Sequence, residues 1–170
     1  MGERYIVVDQ LKFSYEGLFN LTELYTIIPS FFYDKGYDWY EKMNQELVTP
    51  KGKQIKLVFE PWKSVSDHNK IFMRIRMNMT DVKDVEVEHD KKTLQLNQGL
   101  VRITFDGYVL SDRFNRFAGN PFYWLLSVLG DKYFYRTFFR RFETWIKSDV
   151  DDIHNKIKNY LNVYKYHYQT

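Results

Sequence analysis

Cysteine is absent from this 170-residue chain, so neither disulfides nor thiol chemistry contributes to it. That absence fits a cytosolic protein. Proline occurs four times and glycine eight times, and the glycines are dispersed. There is accordingly no glycine-rich phosphate loop, and no Gly-x-Ser-x-Gly elbow to present a nucleophilic serine. No apolar run approaches the roughly 20 residues that cross a bilayer. The longest, Phe122 to Leu129, is short and is interrupted by Ser127. The start of the chain, Met1-Gly2-Glu3-Arg4-Tyr5, lacks the basic stretch and apolar segment of a secretion signal. The triplets Asn20-Leu21-Thr22 and Asn78-Met79-Thr80 therefore read as chance matches to glycosylation sites.

Paired metal ligands are missing as well. His68, His89, His154 and His167 are scattered, with no spacing that would align two of them on a helix or strand. Asp84, Glu86 and Glu88 share a strand face without a histidine beside them, which reads as a solvated acidic edge. Asp151 and Asp152 are neighbours on a helix and point apart, a poor geometry for paired acid–base work. The expectation is a non-catalytic protein without a cofactor. No linker, repeat or low-complexity tract divides the chain, so residues 1–170 read as one domain.

What the sequence has in quantity is aromatic surface. Phe, Tyr and Trp make up 19% of it, against 44% hydrophobic and 28% charged residues overall. That balance excludes disorder, and the aromatics suit a thick core, a ligand pocket or an interface. Net charge is only +3, but it is unevenly placed. Arg113, Arg116, Lys132, Arg136, Arg140, Arg141 and Lys147 face only Asp131 and Glu143 in their segment, leaving the rest of the chain net acidic. A local cationic surface follows.

Periodicity separates the chain into two parts. Leu11, Phe13 and Tyr15 alternate with Lys12, Ser14 and Glu16, as in a half-buried strand. Asn20 then caps a short helix with Glu23 at its third position, and Leu21, Leu24, Tyr25 and Ile28 form its apolar stripe. Pro29 is expected to break or kink it, with a second turn through Phe31 and Phe32 before Gly36. Strands follow. Trp39, Met43 and Leu47 share a face of the segment from Tyr37 to Val48, and Ile55, Leu57 and Phe59 do so before Pro61. Ile71, Met73, Ile75, Met77 and Met79 form a dry face opposite Lys70, Arg74, Arg76, Asn78 and Thr80. Val85 and Val87 mark a further strand. His89-Asp90-Lys91-Lys92 and Asn97-Gln98-Gly99 read as turns, and Val101, Ile103, Phe105 and Val109 complete an antiparallel meander.

From Asn120-Pro121 the period becomes helical. Phe122–Leu129 ends near Gly130, and a long helix from about Asp131 to Tyr164 carries Tyr135, Phe139, Phe142, Ile146, Val150, Ile153, Ile157, Tyr160 and Tyr164 on one stripe. Phe134, Phe138 and Trp145 widen that stripe in its first half. The predicted class is α+β: a curved antiparallel sheet around a long C-terminal helix, with a short broken helix after the first strand.

This order resembles the helix-grip fold of the START and birch-pollen-allergen superfamily, with Leu21–Ile28 and Pro29 as the split helix, Ile71–Met79 as a central strand and Asp131–Tyr164 as the gripping helix. The resemblance lies in order and period alone and includes no residue motif. It implies a space between sheet and helix in which members commonly hold lipids, sterols or other apolar molecules, although many members are adaptors with filled cavities. The leading expectation is a binding protein that holds an apolar, lipid-like small molecule against Trp39, Met73, Ile75, Met77, Phe105 and Phe142. The alternative is an interaction or adaptor module with a filled core. Its aromatic and basic surface (Phe122, Trp124, Leu125, Leu129, Arg136, Arg140) would engage a protein partner, peripherally a membrane, or less readily nucleic acid.

Overall fold

A computed structural model describes residues 3–66, 69–89, 91–111 and 136–168. The order is β1 (Glu3–Phe19), α1 (Leu21–Asp34), β2 (Glu41–Thr49), β3 (Gly52–Phe59), β4 (Trp62–Ser66), β5 (Asn69–His89), β6 (Lys92–Ser111) and α2 (Arg136–Tyr168). The strands form one antiparallel sheet in the order β1-β6-β5-β3-β2, with β4 paired to part of β5. The sheet is not closed, and the C-terminal helix packs against it, mostly on β1 and also on β6 and β5. This is the α+β class that the two periods predict.

The dry face is continuous across three strands. Ile55, Leu57 and Phe59 on β3 join Ile71 to Met79 on β5 and Val101, Ile103, Phe105 and Val109 on β6. Helix α2 covers it with Phe142, Ile146, Val150, Ile153, Ile157 and Leu161, spaced three or four apart. Helix α1 adds Leu24, Ile28, Phe31 and Phe32. At about 1.5 Å per residue α2 runs for roughly 50 Å, long enough to cross the whole sheet.

Bulges decide several features that periodicity misplaces. The register between β2 and β3 shifts between Glu41 and Met43. Trp39 therefore turns inward onto Phe59, whereas Met43 and Leu47 lie exposed on the far side, opposite Val58 and Gln54. The strand itself begins at Glu41, not at Tyr37. Val85 and Val87 do not start a new strand. They continue β5 beyond a bulge between Thr80 and Lys83, where Asp81 has a φ of 55°.

Asn97-Gln98-Gly99 is likewise no turn. It lies inside β6, paired on one side to β1 and on the other to β5. Gly99 is crowded there: a Cβ would stand 3.0 Å from the Thr80 carbonyl oxygen and 3.1 Å from Val82. The expected turn after His89 is present as the β5–β6 hairpin, with His89 paired to Lys92.

Asn20 caps α1 as expected, accepting a hydrogen bond from the Glu23 N–H at 3.2 Å. Pro29 does not end the helix, which runs through it as one 14-residue element. Trp145 is half exposed and does not widen the buried stripe. Helix α2 is described from Arg136 and continues past Tyr164 to Tyr168. The expectations for Phe122–Leu129, Asp131–Tyr135 and the Phe134 and Phe138 side chains lie outside the described residues.

Candidate functional site

The residues expected to line a ligand space fall on one face, but they are packed against protein. Met73, Ile75 and Met77 project from β5, Phe105 from β6 and Phe142 from α2, and each leaves at most 3% of its surface within reach of water. The cross-strand pairs Ile75–Phe105, Met77–Ile103 and Met73–Gly107 tie the two strands together beneath the helix. Trp39 is half-buried at the α1 end, with its ring 4.8 Å from that of Phe59. Phe142 lies on the β1 side, linked through Phe139 to Tyr5. Trp39 and Phe142 therefore stand on opposite sides of β5. All six belong to, or pack on, a single apolar cluster.

Polar latches fix α1 antiparallel to α2 above this face. At one end Lys35 contacts Asp149 at 3.0 Å and Asp152 at 2.8 Å, and the Tyr37 hydroxyl donates to Asp149 at 2.7 Å. Burial, and then the Asp149 carboxylate, push the Tyr37 hydroxyl well above its ordinary value. At the other end the Tyr160 hydroxyl donates to the Asn20 carbonyl and to Glu23, which also accepts from Tyr164. Burial is the main cause that raises Tyr160, followed by its hydrogen bonds to Tyr164 and Glu23.

The opposite face of the sheet, where alternation places Arg74 and Arg76, carries an ion network whose acidic partners no periodicity revealed. Glu60 is buried beneath Lys42 at 2.9 Å and Arg74 at 2.6 Å. Burial alone would raise its carboxyl, but the hydrogen bonds and charges of Lys42 and Arg74 outweigh it and hold Glu60 below its ordinary value. Asp106 accepts from Arg76 at 2.7 Å and from the Gln10 N–H at 3.0 Å. Gln10 sits at the β1 bulge with a φ of 50°, so this carboxylate secures the bulge. Tyr108 is sandwiched between Phe72, 4.9 Å away, and the Arg4 guanidinium at 3.8 Å. These contacts are mutual, which reads as scaffolding. The signal that would have found them is the recurrence of charged residues (Arg74, Arg76, Asp106) at consecutive outward positions of central strands.

The expected aromatic and basic surface is divided. Phe122, Trp124, Leu125 and Leu129 lie outside the described residues, as does the side chain of Arg136, the first residue of α2. Arg140, Arg141 and Lys147 are exposed. At 100° per residue, Trp145 lies roughly 140° around the helix from Arg140. Among the described residues, then, that tryptophan lies apart from the Arg140–Lys147 face and beside Arg141, about 40° away.

Strand β2 has one unpaired side among the described residues. Among the described residues it pairs only with β3, and from Lys42 to Val48 every residue is exposed. Leu47 is 64% and Val48 73% exposed. From Met43 to Thr49 the register with β3 is unbroken, so the free edge is regular. The other unpaired sides among the described residues differ: β1 is interrupted by two register shifts and has α2 packed on it, β4 is five residues with a shift between Ser64 and Ser66, and the end of the β5–β6 hairpin shows no exposed large apolar side chain. Bulges and covering elements blunt an edge, and regular exposed strands invite pairing.

Among the described residues no group of three or more His, Asp and Glu side chains is placed to hold a metal ion, and no helix is long and apolar enough to cross a membrane. His154 is half-buried, its ring edge-on to Phe13 and Phe105. Compared with known proteins, the sequence matches no family model and no curated protein.

Proposed function

We propose that this chain is a non-catalytic protein-interaction module, in which a filled core holds the β2 edge in place for an extended segment of polypeptide to join as a further strand. One observation carries this reading: β2 combines an edge that is regular and, among the described residues, unpaired with the exposed apolar side chains of Met43, Leu47 and Val48. Strand addition takes its affinity from backbone hydrogen bonds and its specificity from alternate side chains, and β2 offers both. The core supports the reading because Met73, Ile75, Met77, Phe105 and Phe142 are already covered. A random peptide library displayed on phage and panned against the protein tests it. Selected peptides should alternate apolar and polar residues and bind a Met43→Lys/Leu47→Lys variant at least tenfold more weakly. Peptides that bind the variant equally well would reject the edge as the site.

A second reading keeps the helix-grip carrier, with an apolar or lipid-like molecule between the sheet and α2. It is favoured by Met73, Met77 and Met79 on one strand face, because thioether side chains repack readily around a guest. Native mass spectrometry after gentle purification, with solvent extraction of lipids, decides it. A mass equal to that of the bare chain, with an empty extract, removes the carrier.

A further inference from the structure

Resting on the reading of β2 as the interaction edge, we infer that its occupant is a second copy of this chain, paired β2 to β2 antiparallel about a twofold axis through Gln45. The strand reads Glu41-Lys42-Met43-Asn44-Gln45-Glu46-Leu47-Val48-Thr49. A twofold at Gln45 sets Met43 opposite Leu47 of the second copy, and Leu47 opposite its Met43. Both residues lie on the outer face, where each is exposed in the isolated chain. Directly opposed apolar pairs stabilise a sheet by about 0.2–1 kcal/mol each.

Charge fits the same register. Glu46 meets Asn44 of the second copy, Glu41 meets Thr49 and Lys42 meets Val48, so no like charges are opposed. Moving the axis to Glu46 would set that carboxylate against itself. Moving it to Asn44 brings Lys42 to Glu46 but sets Met43 against Gln45 and Leu47 against Glu41, which separates the apolar pairs. Antiparallel pairs alternate between hydrogen-bonded and non-hydrogen-bonded types, and a twofold can pass through either. The dimer joins two six-stranded sheets edge to edge and closes, because a twofold uses the same β2 edge of both copies.

The absence of cysteine makes the test direct. Opposed residues in such a pair have Cα atoms about 4.5–5.5 Å apart, within disulfide reach. Gln45→Cys should form a covalent dimer under mild oxidation, whereas Lys158→Cys, on the exposed face of α2, should not. Met43→Cys and Leu47→Cys should cross-link when mixed but not separately, since like positions then lie roughly 13 Å apart. Sedimentation velocity of the unmodified protein over a dilution series should show twice the 20.8 kDa protomer mass at high concentration, and Leu47→Lys should remain monomeric. A monomer at every concentration with no Gln45 cross-link overturns the second copy. If the panned peptides still require Met43 and Leu47 in that case, the edge itself stands and only its occupant is wrong. Cross-linking of Met43→Cys alone overturns this register, and open-ended polymers overturn the closed pair.

Discussion

Gly107 on β6 lies directly beneath Ile146 on α2, so close that a Cβ on the glycine would stand 2.5 Å from Ile146 Cγ2. The helix therefore rests on bare backbone at this point. Gly107→Ala should destabilise the fold by about 1–3 kcal/mol, because Ile146 is fully buried and must shift to admit the methyl group. Removing the obstructing methyl with Ile146→Ala costs about 2–5 kcal/mol by itself. Urea denaturation of the double variant should show less than the sum of the two losses, and strict additivity would disprove the contact.

The two tyrosine latches make the protein sensitive to alkali. Tyr37 and Tyr160 keep their protons above 10.0, where an unfolded tyrosine loses its own. Above that pH the unfolded chain binds fewer protons than the folded one. The stability from these hydroxyls is thus complete below 10.0 and declines as pH rises. Thermal unfolding followed by circular dichroism should show a falling midpoint between about pH 10 and 12. A Tyr37→Phe/Tyr160→Phe variant should start lower, by about 1 kcal/mol per lost hydrogen bond, and decline less steeply. An equal slope in the variant would assign the alkaline loss to other groups.

Glu60 predicts the opposite end of the pH scale. Its folded carboxyl lies below the ordinary value of 4.5, so its contribution is present above that value and is lost as pH falls through the folded one. Glu60→Gln keeps the shape and removes the charge. Lys42 and Arg74 are partly exposed, with side-chain exposures of 48% and 29%, and can recover water. The expected cost at neutral pH is therefore about 1–2 kcal/mol, below that of breaking a fully buried pair. The difference from the parent should shrink on acidification, and a constant difference down to low pH would contradict the ion-pair account.

Met77 measures how tightly the inner face is filled. It has no surface exposed to water and faces Ile103 across the strand pair. Met77→Leu nearly conserves volume and should cost less than about 1.5 kcal/mol, whereas Met77→Ala should cost about 2–5 kcal/mol. Denaturant midpoints distinguish the two. A negligible loss in the alanine variant would indicate slack in the core and strengthen the carrier reading.

Much of this architecture follows from the order of residue types. The two-residue period of Ile71 to Met79 and the helical spacing from Phe142 to Tyr164 each select one element and one buried face, because period is a local property of backbone geometry. Asn20 with Glu23 likewise announces a helix start within four residues. The α+β class was legible for that reason, as was the residue set covered by the terminal helix.

Pairing was not legible. That β1 returns to lie beside β6, that Gly99 marks a crowded bulge and not a turn, and that a register shift at Glu41 sends Met43 and Leu47 to the opposite face from Trp39 all depend on residues distant in sequence. The same holds for Asp106 closing the Gln10 bulge and for Glu60 gathering Lys42 and Arg74. The chain by itself determined which side chains avoid water, because hydrophobic burial follows composition and period. Tertiary structure alone decided which strands, among the described residues, kept a free edge, since an edge is defined by the neighbours a strand does not have.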